Sequence, residues 1–158
     1  MLDEKLVELL NDQVNKEFYS AYLYLSMANY YNEEGLSGFG NWFTIQAQEE
    51  RDHAMLFLEY LQNNGAHVEL KTVEAPKKKF KEFKDPLDES LKHERYVTAS
   101  IHNIYAAASK VKDFRTMQFL DWFVKEQGEE EKTAEDLIKK LELFGQDGKG
   151  LYMLDSEL

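Results

Sequence analysis

Residues 46–55 read QAQEERDHAM, and this stretch decides the fold. Around it, Phe43, Ala47 and Ala54 recur at the three- and four-residue spacing of an amphipathic helix. Glu50 and His53 lie on the same face of that helix, which should be the buried face. A buried charge is costly unless it is paired or binds a metal. The stretch therefore predicts a core helix with a polar, functional centre.

Long amphipathic helices are expected on both sides of this stretch. The chain has two prolines, Pro76 and Pro86, and its other segments are rich in Leu, Ala, Glu and Lys, which favour helix. Asp3 is expected to cap the first helix, and Gly65 to follow the second. Asp85 is expected to cap the third helix, with Pro86 at its first position. The four expected helices cover about 3–31, 39–62, 85–110 and 114–144.

The connections between these helices set the topology. The connections at 32–38 and 112–113 are short and predict two antiparallel helical hairpins. Between the hairpins, the 19 residues 66–84 can span about 60 Å, more than the ~39 Å of a helix of about 26 residues. The third helix can therefore lie parallel to the second. The sequence predicts an all-α four-helix bundle with one long crossover between helices 2 and 3.

The C-terminal residues predict a short fifth helix. GLYMLDSEL (150–158) is long enough for about two helical turns. Residues 1–145 are expected to form the bundle, and 146–158 to pack within the same domain.

Each of the four long helices carries a polar residue near the middle of its apolar stripe. In each hairpin these two positions are 33 residues apart, and a further candidate ligand follows the second by three residues. Antiparallel folding brings the polar residues of a hairpin to the same height, and two hairpins packed face to face bring all of them to one point in the core. The converging residues are Glu17, Glu50, His53, Glu94, Gln127 and Glu130.

The residue types in this group indicate a metal site. Lys and Arg are missing from the same stripe positions, so the carboxylates lack an internal counter-ion. Oxygen-rich ligation with one imidazole suits iron or manganese, whereas soft Cu(I) prefers sulfur. The chain has no cysteine, which excludes a thiolate site. Four carboxylates would overcharge a single ion, so two metal ions with a bridging Glu are expected.

The charge balance limits the partners. The chain has 30 acidic and 19 basic residues and a formal net charge of −11. An acidic surface repels nucleic acid and anionic membranes, so neither is expected as a partner. The N-terminal MLDEKLVELL lacks the apolar region of a secretion signal, and no apolar run approaches the about 20 residues of a membrane span. A cytoplasmic protein is expected.

Longer motifs accompany the six polar residues. They are LNDQVNKEFYSAYLYLSMA (10–28), GNWFTIQAQEERDHA (40–54), FLDWFVKEQGEEE (119–131) and GKGLYMLDSEL (148–158). On these motifs the chain resembles the ferritin family over essentially its whole length, in particular the prokaryotic non-haem ferritins. The resemblance implies iron storage with ferroxidase activity. Fe(II) would be oxidised by dioxygen or peroxide at a di-iron centre and stored as a ferric mineral inside a homo-oligomeric shell of 24 subunits.

The resemblance also implies a role for each ligand. Glu17, Glu50 and His53 match the ligands of one iron. Glu94 and Glu130 complete the ligands of the other iron, with Glu50 as the shared bridge. All five are therefore expected to act in catalysis as well as in metal binding.

Three residues match positions around the di-iron centre. Gln127 replaces a carboxylate ligand of bacterioferritins and rubrerythrins, and because an amide binds iron more weakly, it is expected to orient oxygen or lie outside the ligand set. Tyr24 matches a tyrosine that hydrogen-bonds near the site and supplies an electron; its alternative is an ordinary core tyrosine. Trp122 is expected in the core.

Acidic residues beside the centre match a third, weaker iron site of the family. The alternative for them is a solvated acidic face. Nearby, Gly128 costs about 1 kcal/mol relative to Ala inside a helix and is expected to relieve crowding. The residues of the third site are Glu49, Glu126 and Glu129, with Glu130 shared.

One departure separates the chain from haem-binding relatives. Bacterioferritins carry a haem-ligating Met directly after the Glu of Glu-x-x-His, and here that residue is Arg51, so no haem is expected. Two other functions stay open on the sequence: a di-iron or di-manganese oxygenase or peroxidase on the same bundle, and a non-catalytic four-helix interaction module. Gln127 makes the ligand set less symmetrical, which argues against the first of these.

Overall fold

The computed structural model describes residues 1–158 and contains five α-helices and no strand. This arrangement confirms the all-α prediction. None of the helices combines the length and the apolar character needed to cross a bilayer. The helices are α1 (Glu4–Glu33), α2 (Ser37–Asn63), α3 (Asp85–Lys110), α4 (Phe114–Phe144) and α5 (Gly148–Glu157).

The helices pack as two antiparallel hairpins. In the first hairpin the rings of Tyr24 and Phe43 lie 5.9 Å apart and those of Tyr31 and Phe39 4.9 Å apart, so the contacts move backwards along α2 as they advance along α1. α3 and α4 make the same kind of pair.

The two hairpins pack against each other through contacts between α1 and α3. The Lys16 ammonium donates to the Ser100 hydroxyl at 2.7 Å, and one turn later Ser20 hydrogen-bonds to His93 at 2.7 Å. α1 and α3 are therefore antiparallel, which makes α3 parallel to α2. The predicted bundle with one long crossover is confirmed.

The crossover, residues 66–84, contains no helix or strand and is held against α1 by side-chain amides. The Asn11 amide donates to the His67 carbonyl at 3.0 Å and accepts from the Glu69 amide at 2.8 Å. One turn later, Asn15 donates to the Thr72 carbonyl at 3.0 Å. These bonds satisfy backbone groups that no regular element pairs.

The core is divided into two apolar clusters. Each of the four long helices contributes to both, α5 contributes only to the first, and the polar stripe residues fall between the clusters along the chain. The metal candidates therefore form a layer across the middle of the bundle. The first apolar cluster includes Leu23, Met27, Tyr31, Phe39, Leu141 and Leu154, and the second includes Leu6, Leu10, Phe57, Leu61, Ile101 and Leu120.

The helix ends match most of the expected caps. The Asp3 carboxylate accepts from the backbone near the start of α1, and Gly65 has the left-handed φ of 71°. The prediction for Asp85 is wrong. Its carboxylate accepts from the amides of Lys81 and Glu82, which precede it, and α3 already begins at Asp85 itself.

Two expectations for α4 are also wrong. Trp122 is 48% exposed, and only the edge of its indole contacts the core, where it packs against the His53 ring at 5.4 Å. The neighbouring Phe123 takes the buried position. A Cβ on Gly128 would meet no atom within 4 Å, so this glycine relieves no crowding within the chain.

α5 lies across the ends of α2 and α4. The Asp155 carboxylate accepts from the Phe39 amide at 2.9 Å and so caps the start of α2. A Cβ on Gly38 would lie 1.7 Å from the Asp155 carbonyl oxygen, so only glycine permits this approach. We propose on this basis that 146–158 form one domain with 1–145, as expected.

Candidate metal centre

The structure brings the predicted ligands together in two overlapping groups. Glu17, Glu50 and His53 form one group, and Glu50, Glu94 and Glu130 form the other. Within each group the ligand atoms lie within 4.8 Å of one another. Glu50 belongs to both, which is the position expected for a bridging carboxylate. Four helices contribute, because the stripe position of each helix reaches the same layer of the bundle.

The centre is buried and lacks a basic partner. Glu50 is 1% exposed, and no side-chain nitrogen of Lys or Arg lies within 4.0 Å of a carboxylate oxygen of the four glutamate ligands. His53 Nδ1 lies 3.4 Å from a Glu50 oxygen and 4.0 Å from a Glu17 oxygen. Buried polar atoms almost always have hydrogen-bond partners. The ligand atoms that have none here are Glu17 Oε2, both Glu50 oxygens, His53 Nδ1 and Glu94 Oε2.

The carboxyl groups respond to this environment with raised pKa values. Burial is the largest cause for Glu17 and Glu50, and adjacent carboxylates add to it. Burial raises the pKa of Glu94 to about 7, and burial together with the Glu94 charge raises the pKa of Glu130 to about 9. The raised pKa values favour the protonated form of these carboxyl groups, and a divalent cation binds by displacing the proton.

Hydrogen bonds orient two of the carboxylates. Gln13 Nε2 donates to a Glu17 oxygen at 3.1 Å, and the Tyr24 hydroxyl donates to a Glu94 oxygen at 2.7 Å. Burial, followed by the Glu94 charge, raises the pKa of Tyr24. The sequence interpretation missed Gln13. Its position one helical turn before Glu17, on the same stripe, was the available signal.

Gln127 lies buried beside the centre with its amide group fixed in orientation. Its Nε2 donates to the Glu94 carbonyl and to the Thr98 hydroxyl, each at 3.2 Å. The NH₂ group therefore points toward the α3 backbone, and Oε1 is the atom left to face a ligand. Thr98 was not identified from the sequence.

The residues of the expected third site lie on the same side of the bundle but do not form a compact group. Glu49 and Glu126 are half-buried, Glu129 is exposed, and their carboxylates make no set within 4.8 Å. Burial raises the pKa of Glu49, and the Glu126 charge adds to the effect. A third iron site at these residues stays a prediction.

The donor set limits what can bind. Hard carboxylate oxygens with a single imidazole suit iron or manganese. Each group offers three protein side chains, one of them shared, so a bound ion keeps positions for other ligands. Two ions sharing Glu50 can each exchange one electron with a common oxidant.

Comparisons with known proteins agree with this geometry. A family model described as a ferritin-like domain matches residues 7–144. The chain is similar to the bacterial non-heme ferritin of Campylobacter jejuni, with 41% identity over 98% of this chain and 93% of that protein. It is also similar to the bacterial non-heme ferritin of Staphylococcus aureus, with 40% identity over 100% of this chain and 95% of that protein.

Solved structures give the same result. The chain is similar to an open-pore ferritin from the archaeon Archaeoglobus fulgidus, with a TM-score of 0.96 and 45% identity. The match covers 99% of this chain and 95% of that one.

Proposed function

The chain belongs to the ferritin family, and from this premise we propose that it oxidises Fe(II) at the buried carboxylate centre and stores the product as a ferric mineral. Iron is the substrate and the cargo of this reaction. The chain is thus a ferroxidase and an iron-storage protein.

The observation that supports this function best is the environment of Glu50. Both of its oxygens are buried and without a hydrogen-bond partner, and they lie between the two groups of candidate ligands. A carboxylate in this position is unfavourable in the metal-free chain. Two cations sharing Glu50 remove that cost and come close enough to act on one oxidant.

We assign one Fe(II) to Glu17, Glu50 and His53, and the other to Glu50, Glu94 and Glu130. Tyr24 and Gln127 act from beside them. Tyr24 donates to Glu94 and holds its orientation, and Gln127 presents its side-chain oxygen. We further propose that Glu49, Glu126 and Glu129, with Glu130, form a weaker third iron site, because Glu49 and Glu126 lie close enough to influence each other and Glu130.

The reaction balances as two one-electron oxidations. Two Fe(II) give two electrons, and dioxygen takes them with two protons to become hydrogen peroxide; with peroxide as the oxidant, the products are two waters. Fe(III) is the harder ion and hydrolyses water readily. A site with three protein ligands per ion, one of them shared, holds it loosely and lets it pass to the mineral.

We propose that the working assembly is a shell of 24 copies in the cytoplasm, with the mineral in its acidic cavity. The family relationship supports this arrangement, and scattering from the native particle measures the number of copies. No haem is part of the proposal, because Arg51 follows Glu50 in place of a methionine ligand.

Aerobic addition of Fe(II) tests the function. We expect rapid oxidation that continues far beyond two irons per chain, with the iron retained by the particle. Oxidation that stops near two per chain would instead indicate a di-iron oxygenase or peroxidase. Oxidation no faster than in buffer would indicate an interaction module without catalysis.

Glu50→Ala tests the bridging assignment. Because Glu50 belongs to both groups of ligands, we expect its loss to slow the fast phase of oxidation by about a hundredfold or more. Stopped-flow absorbance measures this rate. Glu59→Ala, an exposed position on the same helix, is the matched control and should oxidise at the parent rate. Fast oxidation by the Glu50 variant would show that the bridge is placed wrongly.

A further inference from the structure

The two hairpins do not close evenly around the centre. Nowhere do α2 and α4 bring their Cα atoms within 8 Å of each other, whereas α1 and α3 do. We call this gap the α2–α4 seam. At one end, aromatic rings fill it: Tyr60 stacks on Phe119 at 4.0 Å, and Phe57 contacts Phe123 at 4.3 Å. At the other end, the seam contains a small cavity.

This cavity leads to the metal centre. Its most buried lining residues are Tyr24, Phe43 and Glu94, each 2% exposed, and Glu130 also lines it. Glu94 and Glu130 are the two ligands that belong only to the second group. Four larger surface grooves, one of which shares Trp42, Thr133 and Leu137 with this cavity, contain none of the proposed ligands. The cavity is therefore an approach to the second metal position from the seam.

The size of the cavity restricts the ligand. Its volume is about 20 Å³, which is room for one molecule close to the size of water. A hydrated Fe(II) ion, with its shell of several waters, does not fit this space. The ligand is thus a molecule of one or two non-hydrogen atoms that enters without a hydration shell.

The lining selects a neutral molecule. Glu94 and Glu130 are the only acidic side chains that line the cavity; as carboxylates they repel anions, and both are assigned to the metal ion itself. Half-buried Gln46 and Thr133 are uncharged, so neither attracts a cation. Trp42, Phe43 and Leu137 supply aromatic and aliphatic walls that favour an apolar molecule. Glu49 and Glu126, which are half-buried and close enough to influence each other, do not line the cavity.

We propose that the cavity at the α2–α4 seam binds the small neutral oxidant, dioxygen or hydrogen peroxide, and delivers it to the metal held by Glu50, Glu94 and Glu130. This assignment rests on the proposed ferroxidase function.

Xenon tests the site without iron. Xenon occupies small apolar cavities, as dioxygen does. Crystals of the metal-free protein under xenon pressure should show electron density between Trp42, Phe43 and Leu137. A cavity without xenon overturns the proposal. This measurement does not depend on ferroxidase activity.

Ala134→Leu tests the delivery of the oxidant. Ala134 lines the cavity from α4, and a leucine there should fill it. We expect the concentration of oxidant that gives half-maximal rate to rise by about tenfold or more, while anaerobic Co(II) binds with unchanged stoichiometry. Ala106→Leu, the same change at an exposed site on α3, should match the parent. Gln46→Phe fills the cavity from α2 and replaces Ala134→Leu if that variant does not fold.

Separate titrations with dioxygen and hydrogen peroxide identify the ligand. If the half-maximal concentration of either oxidant rises in Ala134→Leu or Gln46→Phe, the proposal is supported. The oxidant that is affected is then the molecule that uses the cavity. Half-maximal concentrations equal to those of the parent for both oxidants overturn it. If the parent itself does not oxidise Fe(II), the proposed function fails instead, and the two failures are distinguished.

Discussion

At the scale of single residues, the centre combines ligands that face the metal positions with side chains that hold those ligands. Glu50 and His53 could be predicted from the sequence because a helix places residues three apart on one face, and a buried carboxylate without a counter-ion needs a cation. Gln13 was missed although it lies one helical turn before Glu17 on the same stripe, because a neutral amide there does not by itself require a cation. Its role became visible only through its 3.1 Å bond to Glu17.

Gln13→Leu should weaken the first metal position selectively. Gln13 donates to one Glu17 oxygen and leaves the other oxygen free for a metal ion. A leucine at this position has a similar volume but cannot make the hydrogen bond that orients Glu17. Loss of such an outer partner lowers metal affinity by about 10- to 100-fold. Calorimetric titration of the metal-free protein with Co(II) should show one weakened and one parent-like class of site.

Gln62→Leu is the control for this change, because Gln62 is exposed at the end of α2. Its titration should match that of the parent. Two equally weakened sites in the Gln13 variant would contradict the assignment of Glu17 to a single metal.

At the scale of helices, periodicity predicted the four long elements and their topology, because long amphipathic stripes and one long connection allow few arrangements. One error concerns a local turn, and the other concerns the packing of α4. Asp85 precedes a proline and reads as a helix cap, but its carboxylate is taken by the turn before it. Trp122 and Phe123 are adjacent aromatics, and which of them enters the core depends on the rotation of α4 against its neighbours.

Gly38→Ala should loosen α5. An added Cβ would lie 1.7 Å from the Asp155 carbonyl oxygen, so the backbone of α5 must move away, and the bond from the Phe39 amide to Asp155 is lost. We expect a loss of about 1–3 kcal/mol in the free energy of unfolding. Thermal unfolding measures the loss, and limited proteolysis should cut the chain near 146–158 sooner than in the parent.

Gly128→Ala is the matched control on another helix. A Cβ there meets nothing within 4 Å, so the change should stabilise α4 by up to about 1 kcal/mol. If both variants lose the same free energy of unfolding, the close approach of α5 to Gly38 is not the cause of the loss.

At the scale of the whole molecule, the buried carboxyl groups link folding to pH. The pKa of Glu94 is raised from 4.5 to about 7 in the fold, so between these values the folded chain binds more protons than the unfolded chain. Stability from this group is complete below 4.5 and is lost as the pH rises toward 7. The loss from Glu94 alone is roughly 3 kcal/mol.

The metal-free protein should therefore melt at a lower temperature near about pH 8 than near about pH 5. Saturating Co(II) should remove much of this difference, because the cation binds the deprotonated carboxylates. Scanning calorimetry with and without chelator measures both effects. Glu94→Gln should reduce the pH dependence, and a melting temperature that is the same at both pH values would refute the linkage.

The way the crossover is attached has a consequence for related chains. The Asn11 side chain offers residues 67–69 the two hydrogen bonds that an adjacent β-strand would offer, so it fixes which residue stands opposite α1. An insertion or deletion between Gly65 and Glu69 would shift that alignment and break both bonds at once. Between Thr72 and Phe80 no hydrogen bond to α1 constrains the chain; beyond that stretch, Tyr30 packs on Phe80 and the Tyr31 hydroxyl donates to the Phe83 carbonyl. Relatives of this protein should therefore differ in length between Thr72 and the phenylalanines that follow, and keep the stretch before it constant.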